Sequence, residues 1–210
     1  MNVAILRTAP LWSNRLKEVA RGRGLLVILL LGLCLTGLAQ IACGLYIPAK
    51  AAVAQVLLDR AFDRSRVDHA PRKPWPWADM TPTARLVVPG LGISRIVLDS
   101  GSGQALAFGP TLLPGGAALG QAGTAVVAAH RDTHFRFLRN MKKGDLIFVQ
   151  TREGLERRYR VTGAEVVRWD GYAVADAPLG ERLDLVTCFP FDAIRSGPWR
   201  YVVHAEAVSR

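Results

Sequence analysis

Two hydrophobic patterns divide the chain. From Leu25 to Ile47 the sequence LLVILLLGLCLTGLAQIACGLYI runs for 23 positions without a charge. At about 1.5 Å per residue, a helix of that length crosses a hydrocarbon core of about 30 Å. The run is too long for the core of a simple signal peptide, and the PAKAAVAQ that follows offers no clear cleavage site. It predicts an uncleaved signal anchor spanning the membrane once. Beyond it, PAKAAVAQVLLDRAFDRSR (48–66) reads as a helix, with Val53, Val56, Leu57 and Phe62 at roughly helical spacing among mixed charges. APRKPWPWADMTPT (70–83) then interposes four prolines, which break a helix and favour extended or turn backbone. This stretch predicts a linker or a strap along a domain, with Trp75 and Trp77 packed against it.

From Ala84 the period shortens to that of strands. ARLVVPGLGISRIVL (84–98) predicts two strands around a Pro-Gly turn, and TAVVAAH (124–130) another. DLIFVQ (145–150) and RRYRVTGAEVV (157–167) flank TREG as a hairpin, and RLDLVTC (182–188) and RYVVHAEAV (200–208) complete the series. FGPTLLPGGAALGQAG (108–123), rich in Gly and Pro, reads as a loop. Short strands separated by turns, with little helical pattern, predict an all-β closed barrel or sandwich of about 130 residues. The expected organisation is a basic tail (1–24), an anchor (25–47), a juxtamembrane helix and Pro-rich linker (48–83) and a β-rich domain (84–210).

Charge orients this arrangement. Residues 1–24 carry Arg7, Arg15, Lys17, Arg21 and Arg23 against Glu18, so five minus one gives +4 beside the apolar run. The positive-inside rule places that end in the cytoplasm and everything after Ile47 outside. The whole chain is formally +10, which leaves +6 for the exported part. Its basic residues form no aromatic-interleaved cluster, so nucleic acid is not an expected partner. A solvated surface attracted to anionic lipid or wall polymer fits better.

Of three cysteines, Cys34 and Cys43 lie inside the anchor. The QIA before Cys43 lacks the aliphatic residue three positions upstream that a lipid-modified cysteine normally has. Cys188 is therefore the only cysteine of the exported domain, with no disulfide partner in its compartment. An odd exported thiol invites a functional explanation.

Other motifs fail on their chemistry. HRDTH (130–134) spaces two histidines like a zinc-protease helix, but Arg131 stands where the general-base Glu belongs, so no metal is expected. DSGSG (99–103) is not the G-x-S-x-G elbow and reads as a glycine turn, and GSGQALAFG lacks a dinucleotide fingerprint. What remains is a constellation. His130 ends one β-run, Cys188 ends another and Arg200 begins the last, and a barrel can bring such ends to one groove. Thiolate is a nucleophile, imidazole carries protons to and from leaving groups, and a permanently charged guanidinium can stabilise an oxyanion. Alone, an arginine at a strand start is ordinarily a surface residue and a cysteine ordinarily packs. The combination is what favours a shared chemistry.

These segments resemble the sortases, membrane-anchored cysteine transpeptidases, and most of all those of class D and of proteobacteria. The likeness rests on LVTC with Leu185, Thr187 and Cys188 in register, on VVAAHRDTHFRFLRNMKKGD, on RYVVHAEA and on the N-terminal anchor, and it runs from about Thr83 to Val208. It implies a closed barrel of about eight strands with short helices behind one transmembrane helix. It implies Cys188 as nucleophile, His130 as general acid/base and Arg200 as the oxyanion and substrate-positioning residue, with Arg195 in the loop DAIRSGP as a rival. Thr187 and Ala129 would line the groove and hold the peptide. The implied enzyme, of the hydrolase class and needing no cofactor, cleaves an LPxTG-like signal of a secreted protein and passes it to an amine acceptor. Two other readings remain open. One is an L,D-transpeptidase-like or other cysteine peptidase or acyltransferase; the L,D-transpeptidase motif places His and Gly close before its cysteine, which LDLVTCFP does not. A noncatalytic anchored scaffold on the same fold would be expected to have lost one of the three residues.

Overall fold

The computed structural model describes residues 11–100, 102–174, 180–195 and 197–208. The chain forms two compact units, Met1–Lys50 and Ala51–Arg210. Its described part belongs to the long helix α1 (Leu11–Asp68). Leucines and isoleucines on all sides of that helix, among them Ile28, Leu29, Leu30, Leu31, Leu33 and Leu35, are exposed. A helix apolar on every side needs an apolar surrounding, and this one is long and apolar enough to cross a membrane.

The second unit begins with the end of α1. There the buried face runs Ala54, Leu58, Ala61, Phe62 and Ser65, while Val53 and Val56 are exposed. The expected apolar face was thus misplaced, except at Phe62. Leu58 and Phe62, four residues apart, set the face that packs, and they meet Met80, Ile96, Leu98 and Ala105. Arg85 of the barrel lies 4.8 Å over the Phe62 ring and pairs with Asp63 (3.0 Å) and Asp59 (3.3 Å). In the Pro-rich strap, Trp75 packs edge-on against Phe108 at 5.0 Å, whereas Trp77 is 78% exposed. Only the first of the two tryptophans packs as expected.

Eight strands follow: β1 (Pro82–Val88), β2 (Ile93–Leu98), β3 (Thr111–Leu112), β4 (Gly123–Ala128), β5 (Leu146–Thr151), β6 (Glu156–Arg168), β7 (Glu181–Phe189) and β8 (Trp199–Ala207). They close into one barrel in the order β1-β2-β3-β4-β7-β8-β6-β5, with β1 pairing β5. The β2/β3 and β4/β7 pairs are parallel and the rest antiparallel. Alternation then sorts the side chains. Leu86, Val127, Ile147, Tyr159, Leu183, Leu185 and Val203 fill the interior, and their sequence neighbours face outward.

Two features escape the sequence pattern. The Gly/Pro stretch 108–123 contains β3, only two residues long, which bridges Leu98 and Ala128. Gly103, read as part of a glycine turn (in which Gly101 lies outside the described residues), instead begins a helix, α2 (Gly103–Phe108), whose first turn is capped by the Ser102 hydroxyl accepting from Ala105 N–H (3.1 Å).

Candidate active site

Strand β7 lies between β4 and β8, so its outward residues have neighbours on both sides. In the antiparallel β7/β8 ladder Cys188 stands directly opposite Arg200, Val186 opposite Val202 and Asp184 opposite His204. Directly opposed Cα atoms in such a ladder are about 4.5–5.5 Å apart. In the parallel β4/β7 pair, Ala128 is in register with Val186. Pairing continues past the end of β4. The Ala129 N–H donates to the Val186 carbonyl (3.2 Å), and the Thr187 hydroxyl donates to the Ala129 carbonyl (2.7 Å). His130 follows Ala129 directly, so it leaves the end of β4 beside the end of β7 that carries Cys188.

The same alternation separates two layers. Leu183, Leu185 and Thr187 are buried on the inner side of β7; Asp184, Val186 and Cys188 belong to the outer side. Beneath Cys188 and Arg200 the outer face is apolar, with Val126, Val186 and Val202 packed together and Leu113, Val167 and Tyr172 against them. Cys188 and Arg200 are half-buried and His130 is exposed, which leaves the three reachable at the barrel's end. Thr187 and Ala129 are buried, and the hydroxyl-to-carbonyl bond between them ties the nucleophile's strand to the histidine's. Arg200 Nη1 donates to the Gly197 and Trp199 carbonyls, both at 2.9 Å. Arg195 sits exposed in the β7–β8 loop, outside the ladder. A concavity of about 1300 Å³ on the outer face of β1, β5 and β6 includes none of these residues.

Three comparisons with known proteins bear on this geometry. The family model described as "Sortase domain" matches residues 86–208, more than half of the chain. The chain belongs to the sortase family. Sortase D of Bacillus subtilis (strain 168) is 31% identical over 88 residues, which cover 41% of this chain and 44% of that protein. This sortase thus spans under half the length of that curated relative. Among solved structures, a Clostridium perfringens sortase D5 transpeptidase is similar at TM-score 0.61 and 16% identity, covering 75% of this chain and 99% of that one. Sortase A from Corynebacterium diphtheriae gives 0.58 at 24% identity, covering 64% of each chain. Sortase C-1 from Actinomyces oris gives 0.56 at 26%, covering 63% of this chain and 77% of that one.

One group in this sortase was not singled out in the sequence. Asp184, 1% exposed on the outer face, accepts from the Tyr172 hydroxyl (2.7 Å) and meets His204 Nδ1 (2.9 Å), while His204 Nε2 meets Glu165 (3.2 Å). A buried carboxylate needs such partners. The hydrogen bond to Asp184 raises the His204 pKa above its ordinary 6.5, against burial and with help from the charges of Asp184 and Glu165. Burial, then Asp184, pushes the Tyr172 phenol well up. The signal was an Asp and a His on facing strands, which only the β7/β8 register pairs.

The sign of the pH effect follows. A histidine raised on folding stabilises fully below about 6.5, and that contribution is lost as pH rises through the raised folded value. His134, lowered chiefly by burial, acts oppositely, its cost appearing as pH falls below 6.5. The stability gap between the parent chain and His204→Gln should therefore be about 2 kcal/mol near pH 6, the scale of a hydrogen bond to a charged group, and narrow toward pH 9. Denaturant melts across that range measure it; a gap independent of pH contradicts the assignment.

Proposed function

We propose that this sortase is a membrane-anchored cysteine transpeptidase. In this reading residues 25–47 cross the membrane with the basic tail in the cytoplasm, and the catalytic domain (84–210) works outside. Its substrate is a secreted protein carrying an LPxTG-like signal, and its acceptor is an amine on a wall or other surface component. The observation that carries the reading is the register: Arg200 directly across from Cys188, and His130 at the end of the adjoining strand, above an apolar outer face.

The chemistry divides into two halves. The Cys188 thiolate attacks the threonine carbonyl carbon of the Thr–Gly bond, and the oxygen takes up negative charge. A guanidinium carries five N–H donors, of which Arg200 commits the two on Nη1 to its own loop. Those on Nε and Nη2 serve the oxyanion. His130, as imidazolium, gives its proton to the departing glycine amine, so the C–N bond breaks and a thioester remains. The acceptor amine then attacks the thioester, neutral His130 removes its proton, and the thiolate leaves. Thr187 and Ala129, which line the groove in this reading, also lock the two strands at that level.

The test is incubation of the purified chain with an LPxTG-like peptide, with and without a glycine-based amine. Cleavage after threonine, and an amide-joined product when amine is added, are expected. An intact peptide across a library of related signals contradicts the reading.

A further inference from the structure

Arg131 follows His130 directly, yet it reaches away from the β4/β7 ladder and across to the loop between Cys188 and Arg200. Its Nη2 donates to the carbonyls of Ala193 (2.5 Å) and Arg195 (3.0 Å), two points on that loop. Among its described residues the loop is otherwise held by Ala193 N–H donating to the Pro190 carbonyl (3.3 Å) and, at its far end, by the Pro198 carbonyl accepting from Trp169 N–H (2.8 Å), and its Ile194 is fully exposed. Phe191 anchors its beginning against Tyr201 (5.2 Å) and Phe189 (6.1 Å). A second arginine, Arg139 on the short helical turn Arg136–Asn140, lies 5.2 Å over the Phe191 ring and pairs with Asp192 at 2.7 Å. Asp192 is 84% exposed, so that ion pair contributes little.

The far end of the loop bears on the chemistry. Arg200 Nη1 donates to the Gly197 carbonyl, so the position of the loop sets where the guanidinium is held. A chain of contacts thus runs from His130 through its neighbour Arg131 to the loop carbonyls, and from the loop to Arg200. Cys188 lies on the strand between the two ends.

We infer that Arg131 is a positioning residue for the transfer reaction: it fixes the loop between Cys188 and Arg200 to the segment that carries His130, and so sets the spacing of the acid/base and the oxyanion group across the thiol. This rests on the roles proposed above for His130, Cys188 and Arg200. Arg131 touches no reacting atom and acts through the loop.

The Arg195 carbonyl belongs to the peptide bond that trypsin cuts after Arg195, and Arg131 holds that carbonyl. In the full-length chain, Arg131→Ala is expected to raise the rate of that cut at least 10-fold, read by mass. It should also lower kcat for peptide cleavage about 10–100-fold with KM within about 3-fold. Alkylation of Cys188 by iodoacetamide, which needs neither loop nor guanidinium, should stay within about 2-fold. Arg131→Lys, which keeps a donor and the charge, should restore part of both the loop protection and kcat. Arg139→Ala, which removes the Asp192 pair and the contact on Phe191 but nothing that holds Ala193 or Arg195, should leave kcat within about 3-fold. If Arg131→Ala lowers the melting temperature sharply, the lysine variant carries the comparison. A loop that opens without loss of kcat, or a kcat that falls while the loop stays protected, overturns the inference. Proteolysis needs no turnover, so a parent chain that cleaves no peptide counts against the proposed reaction and is told apart from a clamp that fails.

Discussion

Replacing Cys188 with alanine is expected to lower cleavage of an LPxTG-like peptide at least about 10³-fold, to the floor of the assay. Without sulfur no thioester forms, and what remains is an amide bond beside a histidine and an arginine. Residual binding and oxyanion stabilisation do not replace a nucleophile, because groups that act as a unit fail together. The fold should survive. Cys188 is only half-buried at the end of β7, and the ladder that holds it uses backbone groups and the neighbouring Thr187. The melting temperature should therefore move by no more than a few degrees, within what about 1 kcal/mol produces in a chain of this size. Turnover that persists in Cys188→Ala would remove the thiol from the mechanism.

Arg200→Ala is expected to cost about 10²–10³-fold, the range seen on removing one preorganised oxyanion donor, and the loss should fall on kcat. Arg195→Ala should stay within about 3-fold. The asymmetry comes from the register. Arg200 is the direct cross-strand neighbour of Cys188, whereas Arg195 is exposed on the loop and its backbone carbonyl, not its guanidinium, is the group engaged there. Arg200→Lys keeps a charge but loses the planar fork, so it should fall between the parent and the alanine variant. The reverse ranking of Arg195 and Arg200 would transfer the oxyanion role to the loop.

Much of the barrel was legible because its strands alternate. RLDLVTC and RYVVHAEAV show the two-residue period plainly, and their ends carry the cysteine and the arginine. β3 was not legible: two residues are too few for any period, and its place depends on Leu98 and Ala128, which are distant in sequence. The outer helix face was misread because Val53 and Val56 are as apolar as Leu58, and spacing alone does not say which face a barrel will cover. The pairing of Asp184 with His204, and the reach of Arg131 to Ala193 and Arg195, depend on strand order and loop path, which no local pattern encodes. A loop arginine next to a candidate histidine looks like ordinary surface charge until its partners are known.

The most direct test of the mechanism is the mass of the intact chain after brief incubation with an LPxTG-like peptide and no added amine, followed by mapping of the modified residue. The expected result is a gain equal to the acyl portion of the peptide ending at threonine, carried on Cys188, which disappears when a glycine amine is added and the joined product forms. Peptide cleavage with no such adduct, or an adduct on any other residue, would contradict it.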